Sequence, residues 1–133
     1  MRGRLALVAV LLACAGCSSS TATSPTTTSA PVTETFASLL AAGGASSRTF
    51  TLTLRGPVSA TLTSVDPPVA VGVGIGIAGG TPSCSLTKSA VLAPGSTLML
   101  SDMADPGSYC AEIYDPGTVT NHVSFSMTIQ HPD

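Results

Sequence analysis

The 133-residue chain has no tryptophan, only 4% aromatic residues and only 9% charged residues. A typical soluble domain is about 25% charged, so neither a disordered polyelectrolyte nor a long charged helix fits. The formal net charge is −2, with no basic run longer than Arg2-Gly3-Arg4. That argues against a nucleic-acid binder. No apolar stretch approaches the roughly 20 residues that a membrane-spanning helix needs. The chain also lacks G-x-S-x-G, H-E-x-x-H and any suggestive pair of carboxylates. Hydrolysis requires a nucleophile, a base and an orienting group, and only His122, with Asp115 near it in sequence, could serve as the base. No enzyme is expected.

The first segment reads as an address. Met1-Arg2-Gly3-Arg4 is a short basic start, Leu5 to Ala13 is unbroken apolar, and Cys14-Ala15-Gly16-Cys17 precedes an abrupt turn to polar residues. A basic region, a short apolar region and small residues describe an export signal. Its end resembles the lipobox of bacterial lipoproteins, in which a small residue precedes a cysteine that is lipidated and becomes residue one. Cys17 follows Gly16 and precedes Ser18-Ser19-Ser20, which favours it; Cys14, with Leu11 three places upstream, is the alternative. An ordinary secretory signal with incidental cysteines is the plainer reading. Lipidation implies a chain exported and anchored to the outer face of a bacterial membrane, since several acyl chains at about 0.8 kcal/mol per CH₂ anchor stably. Removal of residues 1–16 leaves Arg48, Arg55 and Lys88 against seven acids, a net charge of −4.

From Ser18 to Thr33, 11 of 16 residues are Ser or Thr, with two prolines and no charge. Such a stretch buries too little apolar surface to offset its chain entropy. Residues 17–33 therefore read as a flexible tether, plain or O-glycosylated, and residues 34–133 as one domain of ordinary size.

Within that domain the pattern has period two. Phe50, Leu52 and Leu54 alternate with threonines; Val58, Ala60 and Leu62 alternate with Ser59, Thr61 and Thr63; Val123, Phe125, Met127 and Ile129 alternate with Ser124, Ser126 and Thr128. Each run is a strand with one buried face. Gly43-Gly44, Gly56-Pro57, Asp66-Pro67-Pro68, Gly79-Gly80, Pro94-Gly95, Asp105-Pro106-Gly107 and Asp115-Pro116-Gly117 punctuate the runs, as turn residues do. Strands are predicted near 34–40, 48–54, 58–65, 69–78, 84–90, 96–101, 108–114 and 122–131, with a helical turn over 36–42 as the alternative for the first. Seven or eight short strands at this spacing predict an all-β, antiparallel β-sandwich.

Cys84 and Cys110 fall in predicted strands of an exported chain, so a disulfide is expected. A blue-copper site would need two histidines, a cysteine and a weak methionine. Cys110, His122, Met127 and His131 supply the types. The spacing is wrong for one tight loop, and His122 and Met127 fall on opposite faces of a strand. A dispersed site using Met99, Met103 and His122 is the remaining metal alternative. His131, near the C-terminus, is expected to be solvated. Asp102, Asp105 and Asp115 could collect calcium, although aspartate before Pro-Gly is more simply a turn former. Gly74-Ile75-Gly76-Ile77-Ala78-Gly79 matches G-x-G-x-x-G, but a turn rather than a helix follows it, so a dinucleotide site is not expected. Val69, Val71, Val73, Ile75 and Ile77 instead form one strand face. Their glycine and alanine neighbours leave the other face bare, open to a close backbone or an aromatic ring, or left as a shallow groove.

Three segments, Gly56-Pro57-Val58-Ser59-Ala60-Thr61-Leu62, Gly107-Ser108-Tyr109-Cys110-Ala111-Glu112-Ile113-Tyr114 and Val123-Ser124-Phe125-Ser126-Met127-Thr128-Ile129, make residues 49–132 resemble the bacterial pre-peptidase C-terminal domains. The resemblance implies a jelly-roll-like, non-catalytic domain that accompanies secreted peptidases; some relatives bind calcium or matrix polymers. Where that family carries acidic residues in an Asp-Leu-Asp-Leu strand, this chain has Val69 to Ile77, so those ligands are not carried over. The expected function is a lipid-anchored, monomeric envelope protein acting as a binding or structural module without a cofactor, its partner an envelope protein or glycan. A Met/His metal carrier and an accessory subunit or inhibitor of a secreted hydrolase are the alternatives.

Overall fold

The computed structural model describes Thr21, residues 30–79 and residues 83–133. The export signal (1–16), Cys14, Cys17 and most of the Ser/Thr tether lie outside the described residues. Eight strands follow in order: β1 (Val32–Ala41), β2 (Ala45–Leu52), β3 (Gly56–Asp66), β4 (Val71–Ala78), β5 (Cys84–Leu92), β6 (Thr97–Ala104), β7 (Gly107–Tyr114) and β8 (His122–His131). β1 begins two residues before the expected domain start, and the segment 36–42 lies largely in this strand rather than in a helical turn. Phe36 and Leu40 are both buried while Ser38 lies between them exposed. A spacing of four keeps two residues on one face of a helix and of a strand alike, which is why the sequence left both open.

The strands form two four-stranded antiparallel sheets, ordered β1-β8-β3-β6 and β2-β7-β4-β5. β1 pairs with β8, β2 with β7, β3 with β6 and β4 with β5. This is one long hairpin whose innermost pair is β4 with β5, rolled so that alternate pairs enter alternate sheets. It is the eight-stranded jelly roll. All strands share one axis, so the molecule has two poles. The start of β1, residues 53–55, the end of β4 and the start of β5, residues 105–106 and the C-terminal residues lie at one. Residues 42–44, 67–70, 93–96 and 115–121 lie at the other.

The core is filled from both sheets by alternating residues. Val58, Ala60 and Leu62 from β3, Ala111 and Ile113 from β7, and Met127 and Ile129 from β8 are all inaccessible to water. Phe36 and Phe125 meet edge to face at 5.1 Å between centroids. β3 holds an irregularity between Leu62 and Ser64, where Thr63 donates its hydroxyl to the Ser126 carbonyl. The extra residue reverses the alternation, so Val65 rather than Ser64 returns to the core. A bulge has this effect on a period-two pattern.

β4 carries the sharpest alternation. Val71, Val73 and Ile75 are fully buried. Ile77 continues that face, opposite the inward Tyr109, but is 51% exposed, because it sits at the pole, beyond the core. The bare face is buried too, so the groove considered from sequence is filled. The ring of Tyr114 lies over Gly72, the methyl groups of Leu86 over Gly74, and the backbone of Ser85 over Gly76. A Cβ at Gly74 would meet the Leu86 Cδ1 at 2.6 Å, and one at Gly76 would overlap the Ser85 carbonyl oxygen. Leu86 can change rotamer; a backbone carbonyl cannot. Gly76→Ala should therefore destabilise by about 1–3 kcal/mol or more and Gly74→Ala by clearly less, read from urea midpoints.

Candidate functional site

The strongest local chemistry is covalent. Cys84 and Cys110 form a disulfide with a Cα–Cα distance of 5.7 Å. β5 and β7 lie on opposite sides of β4, where second-neighbour strands are ordinarily about 9–10 Å apart. Cys110 pairs with Gly76, and Cys84 with Ala78. The bridge thus passes over β4 on its outer face and draws the start of β5 onto Gly76, which explains the Ser85 backbone lying there. The β4–β5 register shifts between Ile75 and Gly76, where β5 leaves its regular path.

The copper ligand types are not brought together. Cys110 is in the disulfide, Met127 is in the core, and His122 is exposed on the same strand. Met99 lies across β3 from Gln130, eight residues along β8 from His122. At about 3.4 Å per residue that is roughly 27 Å, so a Met99, Met103 and His122 site is not assembled.

His131 is not solvated; it is 4% exposed. It continues the inward series Val123, Phe125, Met127 and Ile129, so the alternation already held the signal that its closeness to the C-terminus obscured. Its ring stacks on Phe50 at 5.0 Å. Nδ1 lies 2.7 Å from the Pro132 carbonyl and Nε2 lies 3.4 Å from Glu34 Oε1. Arg48 Nε donates to Glu34 Oε2 at 2.9 Å. Burial alone would raise the Glu34 carboxyl, but hydrogen bonds and charge from Arg48 and His131 outweigh it and hold it below its usual range. These residues join β1, β2 and β8 along the open side of the sandwich. Both Arg48 and Glu34 are partly solvated, so the ion pair is worth less than about 1 kcal/mol.

The three aspartates do not form a cation site. Asp105 pairs with Arg55 at 3.0 Å, and Asp115 lies at the opposite pole, beyond the other end of β7. Asp115 Oδ2 accepts from the Gly43 amide at 2.8 Å, while Oδ1 accepts from the amides of Gly117, Thr118 and Val119 at 2.8–3.0 Å. Gly43 and Gly117 have φ of 69° and 102°, which a side chain would oppose. The amide of Gly43, then those of Val119, Gly117 and Thr118, hold the Asp115 carboxyl down to about 2 from its ordinary 3.8. This turn former therefore also ties the β1–β2 turn to the β7–β8 loop. His122 is not paired with it; its Nδ1 meets Asn121 Oδ1 at 3.1 Å.

An open cleft of about 370 Å³ is lined by Ala45, Ser46, Ser47 and Glu112. Burial pushes the Glu112 carboxyl up. One carboxylate beside serine hydroxyls can accept hydrogen bonds, but the lining supplies no second acid or base. No local pattern singles out Glu112, since it stands alone in an alternating strand.

No protein-family model and no curated protein matches the chain, so the resemblance to pre-peptidase C-terminal domains rests on its short motifs alone. Among solved structures the fold is similar to that of a mitogen derived from Yersinia pseudotuberculosis. That match has 15% identity and a TM-score of 0.51, covering 78% of this chain and 90% of the other. A second match, with 15% identity and a TM-score of 0.36, is to a structure of Bacillus endospore appendages, described as disulfide-linked pili; it covers 78% of this chain and 89% of the other. At this identity the first likeness concerns the fold alone.

Replacing both cysteines by alanine should lower stability by about 3–4 kcal/mol through loss of a closed loop with a sequence separation of 26. Because the crosslink holds Ser85 over Gly76, Gly76→Ala should cost less in that background than in the parent chain. A double-mutant cycle in urea measures the coupling; strict additivity would contradict the geometry. Asp115 has a depressed folded-state pKa. Its stabilisation is therefore complete above 3.8 and is lost as pH falls towards about 2. Asp115→Asn should melt below the parent at neutral pH, with the gap closing across that acid range.

Proposed function

We propose that this chain is a lipid-anchored bacterial envelope protein whose jelly roll acts as a non-catalytic binding or structural module. The observation that carries the reading is the Cys84–Cys110 crosslink following an N-terminus with the composition of an export signal. Protein disulfides persist in oxidising, extracytoplasmic compartments, and the two features concern independent parts of the chain. The state of the polar groups supports the non-catalytic reading. Asp115 spends its carboxylate on four backbone amides, His131 faces Pro132 and Glu34, and Glu34 is shared with Arg48. Under this reading Cys17 carries the lipid and the Ser/Thr/Pro segment tethers the domain to the bilayer.

Mass spectrometry of the chain expressed in a bacterium tests the proposal. Loss of residues 1–16 and a diacylglyceryl-modified Cys17 are expected. Cys17→Ser should move the protein out of the membrane fraction, and Cys14→Ser should leave it there. An unmodified chain cleaved elsewhere and recovered from the soluble fraction would overturn the anchoring.

A further inference from the structure

We infer that the pole from which β1 starts is a docking face for the surface of a lipid bilayer; this rests on the lipid-anchored reading above. Three large apolar side chains stand exposed at that pole: Leu54 at 48%, Ile77 at 51% and Met103 at 57%. They belong to three different chain segments, and the contacts there place those segments together. Gly56 pairs with Ala104, which sets Leu54 and Arg55 beside the end of β6 that carries Met103. Arg55 bonds Asp105, the Tyr109 hydroxyl donates to the Asp105 carbonyl, and Tyr109 is the strand partner of Ile77. The Leu54 amide donates to the Asp133 carbonyl, fastening the loop against the C-terminal residues.

The chain outside the strands identifies the occupant. Val32 opens β1 at this same pole, and 14 residues, Ser18 to Pro31, separate it from Cys17. Fourteen residues reach at most about 50 Å even when fully extended, so this pole stays within reach of the anchor. A lipid on Cys17 therefore keeps this pole, and not the opposite one, at a high effective concentration against the bilayer. A small apolar face then suffices, because the anchor has already removed most of the entropic cost of meeting the membrane. Leu39, Val91 and Met99 are also exposed, but they stand singly on β1, β5 and β6, which is ordinary for a soluble surface. The charged residues of the segments that meet at this pole are Glu34, Arg55, Asp102, Asp105 and Asp133. This acidic excess means that docking is driven by apolar contact and weakens on anionic lipid.

The absence of tryptophan makes the test clean. The full lipidated chain carrying Leu54→Trp is reconstituted into phosphatidylcholine vesicles containing a brominated phosphatidylcholine, with Thr120→Trp at the opposite pole as the control. Expected are a blue shift and loss of emission for the first and neither for the second. Adding phosphatidylglycerol, or Ile77→Ser with Met103→Ser, should restore the emission. Co-flotation with the vesicles is measured on the same samples. A chain that floats while Leu54→Trp is no more quenched than the control is anchored with this pole free, which overturns the docking alone. A chain that does not float overturns the anchoring, and the docking with it.

Discussion

The fold depends on how closely other groups can approach the outer face of β4. That strand lies between β7 and β5 in its sheet, so its inner face must be branched aliphatic and fill the core. Its outer face must be almost free of side chains. With Val71, Val73 and Ile75 inward and Gly72, Gly74 and Gly76 outward, both conditions are met by one alternating sequence. The bare face admits a tyrosine ring, a leucine and a stretch of backbone in succession. The crosslink between the two flanking strands can form at this point only because nothing projects between them. In a domain without tryptophan, this covering adds a partly buried layer that the main core does not supply.

The few charged and polar side chains are spent on holding loops and edges. Asp115 gathers amides from two connections at one pole; Glu34, Arg48 and His131 close one open side of the sandwich. Each joins segments far apart in sequence, and the aspartate does so with a single side chain. This economy suits a chain with 9% charged residues: hydrophobic alternation specifies the layers, and a small number of polar ties fixes how their ends meet.

Much of the fold was legible because burial on one side of a strand imposes a period of two. The eight strands and their turns follow from it, as does the disulfide once export is inferred. The bare face of β4 was legible as a place for close approach, but not what would approach it, since Tyr114 and Ser85 belong to other strands. Ile77 lies on the expected face yet stands exposed, because periodicity carries no information about where a core ends. His131 was misplaced for the opposite reason, the alternation running further than expected. The partners of Asp115 and Glu34 were not legible at all: they depend on which strands become neighbours when the hairpin rolls, and no local pattern encodes that.

The pairing of β1 with β8 has a mechanical consequence. β1 is an edge strand whose only strand partner is β8, and its first residue pairs with His131 at the end of the molecule. A force that draws the N-terminal connection away from the C-terminal residues therefore loads these bonds one after another from Val32, as in opening a zipper, rather than all together in shear. The covalent staple lies in the other sheet, off this path of force, and leaves β1 free to peel while the rest of the barrel-like stack stays shut.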